Sequence, residues 1–278
     1  MRLHQYVLSA CVVLSLAACS GGNDKPADLE KSNAQSASVD ELYEKASTAM
    51  DEGDYKDATR FFEEVERQHP YSEWATRAQL MAAYSSYLDQ RYDDAIVALD
   101  RYIQLHPSAN DVDYAFYLKA LCFYEQISDV RRDQDMTMQS YRALETLIKR
   151  FPESEYRRDA MLKLDLTRDH LAGKEMEVGR YYLNRGHVNA SINRFRSVVT
   201  HFQTTSHVAE ALHRLVEAYI TLGLKNEALQ VAAVLGHNYP GSKWYERSFS
   251  LLDDEQRRKL IDERGFVERT IDSILKPD

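Results

Sequence analysis

The most reactive group near the start of the chain is the thiol of Cys19. It ends an apolar run from Tyr6 to Ala18 and is followed directly by small polar residues. The small side chains of Ala17 and Ala18 suit the narrow groove of a peptidase. Cleavage between Ala18 and Cys19 would leave a thiol and a free α-amine on one residue, and both groups can be acylated.

The sequence Leu16-Ala17-Ala18-Cys19 resembles the recognition site of a bacterial lipoprotein signal. Arg2 supplies the positive charge that precedes the apolar run in signal peptides. The run is too short to span a bilayer as a helix, which takes about 20 residues. We therefore predict a lipoprotein signal peptide over residues 1–18, with S-diacylglycerol and an N-acyl chain on Cys19. The alternatives are an ordinary signal peptide cut after Ala18, or a buried apolar stretch.

The other two cysteines carry no such chemistry. Cys11 leaves with the predicted signal peptide, and Cys122 lies in an apolar helical run where a buried, inert thiol is expected. Because Cys19 would be acylated, the mature chain has no pair of thiols for an internal disulfide. We expect no cofactor and no metal beyond this covalent lipid.

Motifs for catalysis are missing from the sequence. It contains no GxSxG, HExxH, CxxC, GxGxxG or P-loop pattern. His69, His106 and His201 recur at one phase of a repeat, where an imidazole can interact with the negative end of a helix. We predict a structural role for these histidines rather than metal binding, and we predict that the protein is not an enzyme.

The charge balance argues against nucleic acid as a partner. The chain has 44 acidic residues against 35 Lys and Arg, a formal net charge of −9, and no basic run. Nucleic-acid surfaces need clustered Lys and Arg against the phosphates. Ten glycines and six prolines in 278 residues leave room for long helices.

The chain repeats itself after residue 38. GDYKDATRFFEEVERQHP (53–70), QRYDDAIVALDRYIQLHP (90–107) and GLKNEALQVAAVLGHNYP (223–240) share one pattern, and shorter matches end at 152 and 202. The pattern resembles the tetratricopeptide repeat, a pair of antiparallel helices in 34 residues. A single pair cannot bury its apolar face, so the pairs must stack.

Two residue types mark each repeat. A small side chain in the second helix allows close helix packing, and a proline ends that helix because it lacks an N–H. The small residues are Ala58, Ala95, Ser140, Ala190 or Ser191, and Ala228. The prolines are Pro70, Pro107, Pro152 and Pro240.

We therefore predict an all-α fold, an α-solenoid of about five tetratricopeptide-like helix pairs with a C-terminal capping helix. The predicted segments are a signal peptide (1–18), a lipidated N-terminus and flexible linker (19–38), five repeats (39–72, 76–109, 113–154, 155–205 and 209–242) and a cap (243–278). The cap is alternatively a partner-binding helix. Residues 127–138 are expected to form a surface loop, and Gly173 and Gly179 to pack closely against a neighbour.

The concave side of such a solenoid is a candidate peptide groove. In this repeat it is lined by positions 2, 5, 9 and 12 of the first helices, which here carry six tyrosines and a leucine. These residues are Tyr43, Leu80, Tyr84, Tyr87, Tyr114, Tyr117 and Tyr124. Tyrosine offers apolar area with a hydrogen-bonding tip, which favours a peptide with aromatic side chains. For each residue, packing between helices is the alternative.

Signal, linker and repeats together resemble the BamD family, tetratricopeptide-repeat lipoproteins of the outer-membrane β-barrel assembly machinery. The resemblance covers nearly the whole mature chain. Its most specific stretches are DYAFYLKAL (113–121), RRDQDMTMQSYRALETLIKRFPESEYRRDA (131–160) and LAGKEMEVGRYYLNRGHVNASINRF (171–195).

The resemblance implies a non-enzymatic scaffold that binds the POTRA region of BamA, other lipoproteins of the complex and unfolded outer-membrane β-barrel proteins, and promotes their insertion. It also implies a lipid anchor in the inner leaflet of the outer membrane, with the fold facing the periplasm. Ser20 agrees, because aspartate after the lipid cysteine would signal retention in the inner membrane.

One contact residue follows from the same resemblance. Arg194 matches a family arginine and is predicted to contact BamA, with an ordinary surface arginine as the alternative. A rival function for the whole chain is a periplasmic tetratricopeptide-repeat adaptor for peptidoglycan enzymes. A third possibility is an enzyme whose site the sequence does not reveal.

Overall fold

The computed structural model of the protein describes residues 38–262. Within this range the chain forms twelve α-helices and no strand, as the sequence predicts. The predicted signal peptide, Cys19, residues 19–37 of the linker and residues 263–278 of the cap lie outside the described residues. The helices are α1 (Val39–Asp51), α2 (Tyr55–Gln68), α3 (Glu73–Leu88), α4 (Tyr92–Leu105), α5 (Val112–Glu125), α6 (Asp135–Arg150), α7 (Arg157–Asn184), α8 (Val188–His201), α9 (Val208–Thr221), α10 (Lys225–Asn238), α11 (Lys243–Leu251) and α12 (Asp254–Asp262).

The first ten helices form five consecutive pairs, and each helix packs against the next. The first helices of neighbouring pairs also meet, α1 with α3, α3 with α5 and α5 with α7. The buried apolar side chains of the described residues form several clusters along the chain rather than one central core. Such local packing is characteristic of stacked repeats, and the fold is an α-solenoid.

The small residue of each second helix lies at the tightest point of its pair. Ala58 and its counterparts in the other four repeats are fully buried. In the fourth repeat the buried residue is Ser191, whereas Ala190 is half-buried. The structure thus resolves the one-residue ambiguity that the sequence leaves open. Phe62 and Phe195, each four residues further on, are fully buried too.

The turns inside the pairs need a left-handed backbone. Gly53 and Gly223 adopt φ values of +81° and +75°, and Gly186 does the same in the fourth repeat with φ +76°. In the second repeat Gln90 takes this conformation with φ 60°. A residue with a Cβ is less favourable there by roughly 1–2 kcal/mol.

The predicted prolines stand directly after the C-caps of the second helices. Pro70 follows the C-cap His69, and Pro107, Pro152 and Pro240 occupy the same place in their repeats. In the fourth repeat, α8 ends at the C-cap Phe202 although Gln203 replaces the proline. Proline is therefore not required to end the second helix; it reinforces an end that the rest of the repeat already determines.

The glycines of the long helix α7 make room for neighbours. A Cβ on Gly179 would lie 2.5 Å from the ring of Phe195, and one on Gly173 would lie 3.2 Å from Val130 and from His207. Both contacts confirm the close packing predicted from the sequence. Val130 belongs to the loop between α5 and α6, so that loop lies against α7.

Two polar contacts hold the same loop to α7. The ammonium group of Lys174 donates to the carbonyl oxygens of Arg131 and Arg132, both at 3.0 Å. Arg131 also forms an ion pair with Glu177 at 3.4 Å. The predicted insertion is thus a surface loop up to residue 134. Hydrogen bonds from Lys174 to the carbonyl oxygens of this loop hold it against α7.

The described part of the cap forms two short helices where the sequence predicts a single one. Between α11 and α12, Leu252 is buried with extended backbone. The side chain of Asp253 accepts from the N–H of Gln256 at 2.9 Å, and the side chain of Gln256 accepts from the N–H of Asp253 at 3.0 Å. This reciprocal capping starts a new helix at Asp254 and explains the break.

Candidate peptide-binding surface

Five tyrosines form a continuous aromatic surface on α3, α5 and the start of α7. The ring centroid of Tyr84 lies 6.4 Å from that of Tyr87 and 6.3 Å from that of Tyr114. The ring centroid of Tyr156 lies 5.2 Å from that of Tyr114 and 5.0 Å from that of Tyr117. All five rings are half-buried. We call these residues the tyrosine surface. Four of them are predicted groove residues, and the fold brings them together.

The remaining predicted groove residues lie elsewhere. Tyr43 of α1 packs against Trp74, with ring centroids 4.6 Å apart and the ring planes tilted by 52°. Leu80 is 5 % exposed, because it packs into the core between α3, α4 and α5. Tyr124 is at the end of α5, with the Lys163 ammonium group 5.5 Å from its ring centroid. Leu80 therefore offers almost no area to a ligand, whereas Tyr43 and Tyr124 are half-buried.

Three hydroxyls of the tyrosine surface, those of Tyr87, Tyr114 and Tyr117, stay protonated. Burial raises the pKa of Tyr87 to about 12 and raises the pKa of Tyr114 and Tyr117 as well. The hydroxyl of Tyr117 donates to the carboxylate of Asp159 on α7. This hydrogen bond, with help from Lys163, holds the pKa of Asp159 below its usual range. Tyr87, Tyr114 and Tyr117 therefore present neutral rings with hydrogen-bonding hydroxyls.

Helix α7 contributes side chains that the sequence reasoning did not assign to any surface. Tyr156 caps the start of α7 and completes the tyrosine surface. One turn apart, Leu162 and Leu166 are each 60 % exposed. A signal was present in the sequence, because two leucines four residues apart stand among charged residues. Because α7 is 28 residues long, the sequence pattern alone does not show which of its faces is covered by other helices.

A cleft of about 540 Å³ opens where α5 and the following loop meet α7. We call it the α5–α7 cleft. Its apolar walls are Tyr124, Ile127 and Leu166. Its polar lining residues are Glu125, Ser128, Thr167, Asp169 and His170. The lining therefore contains two carboxylates and no Lys or Arg.

Beyond the aromatic residues, a row of alternating charges runs from α7 to α9. Arg180 contacts Glu177 and Glu210, both at 3.1 Å. Arg214 contacts Glu210 at 3.4 Å and Glu217 at 2.8 Å. We call these five residues the charge ladder. Its cations are already paired, so it stabilises the contact between the fourth and fifth repeats.

A buried histidine connects the charge ladder to the cap. His213 places Nε2 3.4 Å from a carboxylate oxygen of Glu217 and Nδ1 2.8 Å from the hydroxyl of Ser248 on α11. Its ring also lies 5.2 Å from that of Trp244. With Nε2–H donating to the carboxylate, Nδ1 accepts the hydroxyl proton. Helix α11 is thereby fixed to α9 by a polar contact as well as by apolar packing.

Arg194 stands on the exposed side of α8. Its side chain is 45 % exposed, and its guanidinium lies 3.2 Å from the carboxylate of Glu175 on α7. The predicted contact residue is thus accessible, but it already has an intramolecular partner.

Cys122 and His106 occupy positions inside the helical packing. Cys122 is buried as predicted, and burial raises the pKa of its thiol to about 12. His106 shares a hydrogen bond of 2.9 Å with Gln79. Between residues 38 and 262, no group of three or more His, Cys, Asp or Glu is arranged to hold a metal ion. Over the same range, no helix combines the length and apolar character needed to cross a bilayer.

Comparison with known proteins identifies relatives over almost the full length. Residues 35–235 match the family described as "YfiO: Outer membrane lipoprotein". The outer membrane protein assembly factor BamD of Caulobacter vibrioides is 44% identical over 274 residues, 98% of this chain and 88% of that protein. BamD of Rickettsia prowazekii is 44% identical over 250 residues (90% and 98%), and BamD of Neisseria meningitidis serogroup A is 33% identical over 252 residues (86% and 93%). The chain therefore belongs to the YfiO family of outer membrane lipoproteins, together with the BamD assembly factors.

Proposed function

We propose that this protein is a lipid-anchored, non-enzymatic scaffold of the outer-membrane β-barrel assembly complex. In this role it binds the POTRA region of BamA and unfolded β-barrel proteins and promotes their insertion. The observation that carries the proposal is the 44% identity to BamD assembly factors across 98% of the chain in one relative. Because the similarity includes the repeats and the terminal segments, the whole architecture supports a shared role.

The tyrosine surface supports binding of client segments. Half-buried tyrosines offer apolar area at a small cost in side-chain entropy, and such residues dominate binding energy at many interfaces. Their neutral hydroxyls can donate to or accept from the backbone of an extended peptide. A client strand with aromatic side chains matches this surface in both respects.

The later repeats are the proposed contact for BamA. Arg194 is accessible on α8, and its guanidinium could exchange the carboxylate of Glu175 for one on a POTRA domain. The charge ladder behind it fixes α7 against α9. A rigid, polar surface of this kind suits docking of a folded partner.

Lipid on Cys19 would complete the arrangement. Acyl chains contribute about 0.8 kcal/mol per buried CH₂ group, so diacylglycerol with an N-acyl chain anchors a protein stably. We place this anchor in the inner leaflet of the outer membrane, with the solenoid in the periplasm beside the other lipoproteins of the complex.

Purification of the tagged full chain in mild detergent tests the proposal. We expect mass spectrometry of the co-purified proteins to identify BamA and companion lipoproteins. Recovery of peptidoglycan hydrolases without BamA would instead favour the adaptor role. Reproducible absence of BamA from a complex that contains the intact chain would contradict the proposal.

A further inference from the structure

We propose that the α5–α7 cleft binds a basic side chain, arginine or lysine, of a client peptide that lies on the tyrosine surface. The inference rests on the proposed function, because it assumes that a peptide occupies that surface. It adds a requirement on the peptide's sequence, namely a positive charge beside the aromatic residues.

The walls of the cleft fit the stem of a long basic side chain. Tyr124, Ile127 and Leu166 supply apolar surface on different elements, α5, the loop after it and α7. Arginine and lysine bury their methylene groups against such surface while the charged end reaches a polar group. Leu166 is 60 % exposed.

The charges at the cleft select a cation. Glu125 lines the cleft, is exposed, and forms no ion pair within residues 38–262. Asp169 also lines the cleft and is already bound: Oδ1 accepts from the N–H and the hydroxyl of Ser206 at 3.0 and 2.9 Å, and Oδ2 lies 3.5 Å from Nε2 of His207. Glu125 is therefore the direct partner for an incoming charge, and Asp169 adds to the negative potential.

The basic side chains beside the cleft form no ion pair with Glu125. Lys163 faces Tyr124, but its ammonium group lies 2.9 Å from Asp159, to which it is paired. His170 lines the cleft, and its Nε2 is out of contact with solvent and without a partner among the described residues. No Lys or Arg side chain lines the cleft.

The position of the cleft sets the spacing in the peptide. Tyr117 of the tyrosine surface and Tyr124 of the cleft are seven residues apart on α5, which corresponds to about 10 Å along the helix. An extended peptide rises about 3.3 Å per residue, and residues two or four apart point to the same side. We therefore expect the basic residue two or four positions from an aromatic residue.

Peptide binding to the full chain in detergent micelles tests this inference. The probe is a fluorescent ten-residue peptide with two phenylalanines and one arginine four positions from the nearer ring. Its control replaces the arginine by citrulline, which keeps the shape and removes the charge. We expect the arginine peptide to bind at least fivefold more tightly, as measured by fluorescence anisotropy.

Matched variants separate charge from apolar contact. Glu125→Gln should lower the affinity for the arginine peptide to that for the citrulline peptide and leave the latter unchanged. Leu166→Ala should weaken both peptides alike, about two- to fivefold. The controls Asp165→Asn and Leu162→Ala alter exposed residues of the same helix outside the cleft, and neither should change binding.

The outcomes distinguish this inference from the proposed function. Equal binding of both peptides to the unmodified protein, or equal loss of both in Glu125→Gln, would overturn the basic-side-chain pocket and leave the tyrosine surface intact. Binding of neither peptide would contradict the client-binding role as well.

Discussion

The ion pair between Arg194 and Glu175 determines which substitutions can test the role of Arg194 in binding. The sequence suggests only an exposed arginine, whereas the structure pairs it with Glu175 at 3.2 Å. Replacing Arg194 by glutamate would set two carboxylates against each other, and a loss of binding could then come from local repulsion. Neutral substitutions on both members of the pair avoid this ambiguity.

We expect Arg194→Gln to weaken binding of the purified BamA POTRA region severalfold, because the guanidinium is the proposed partner of a POTRA carboxylate. Glu175→Gln should leave binding equal or stronger, since it frees the arginine. Titration with the POTRA region measures both effects, and circular dichroism checks that helicity is unchanged. Unaltered binding in Arg194→Gln would assign the arginine to an intramolecular ion pair alone.

Gly179 gives a second prediction at this scale. In an open helix, glycine to alanine stabilises by about 1 kcal/mol, but here the new Cβ would meet the fully buried ring of Phe195 at 2.5 Å. We expect Gly179→Ala to destabilise the protein by about 1–3 kcal/mol, as overpacking does. Denaturant unfolding measures the change.

Gly173→Ala is the matched comparison, since its Cβ would meet Val130 and His207 at the longer distance of 3.2 Å. We expect a smaller loss there. An increase in stability for Gly179→Ala would show that Phe195 can move aside, and would remove close packing as the reason for this glycine.

Single residues also show the limit of reading a surface from a repeat register. The register correctly predicts that Ala58 and Ala228 are buried, because both lie inside one helix pair. It places Leu80 in the groove, although that side chain is covered by neighbouring repeats. The exposure of a side chain on a first helix depends on how closely the next helix pair packs against it. The repeat pattern in the sequence gives no information on that distance.

At the scale of elements, α11 depends on an ionised carboxylate. Burial alone would raise the pKa of Glu217, but hydrogen bonds from His213 and Arg214 outweigh it and lower the pKa from 4.5 to about 2. A lowered pKa means that the folded state favours the charged form. This contribution to stability is complete above pH 4.5 and is lost as the pH falls toward 2.

We therefore expect Glu217→Gln to be less stable than the unmodified protein at neutral pH. Its stability should also change less between pH 4.5 and 2, so the two stability curves should converge in acid. Thermal unfolding followed by circular dichroism across this pH range measures the effect. Glu246→Gln, an exposed change on α11, is the control. Parallel curves for Glu217→Gln and the unmodified protein would contradict the proposed dependence.

The elements themselves were largely predictable. Helix ends follow from residues with a local effect, the proline after four of the five second helices and the glycines Gly53 and Gly223 in the turns. The break at Leu252 was also readable, because Asp253 and Gln256 have the spacing of a capping pair. The charge ladder could not be predicted from the sequence, because its ion pairs depend on which faces of α7 and α9 are in contact.

At the scale of the whole molecule, the two kinds of surface occupy different repeats. The tyrosine surface spans α3 to the start of α7, and the charge ladder continues from α7 to α9. Helix α7 belongs to both, which is possible because it is 28 residues long. This division supports client binding on the early repeats and BamA binding on the later ones, so that both partners can be held at once.

The proposed lipid anchor on Cys19 would decide where this scaffold acts. Growth with a labelled fatty acid should label the unmodified protein and Cys122→Ser, because the buried thiol of Cys122 is not an acylation site. Cys19→Ser should remain unlabelled, since it lacks the thiol that carries the diacylglycerol. Mass spectrometry of the purified protein should show a chain that starts at Cys19 with a diacylglycerol and an N-acyl chain. An unmodified N-terminus at Cys19 would instead indicate an ordinary signal peptide, and the solenoid would then reach the membrane only through its partners.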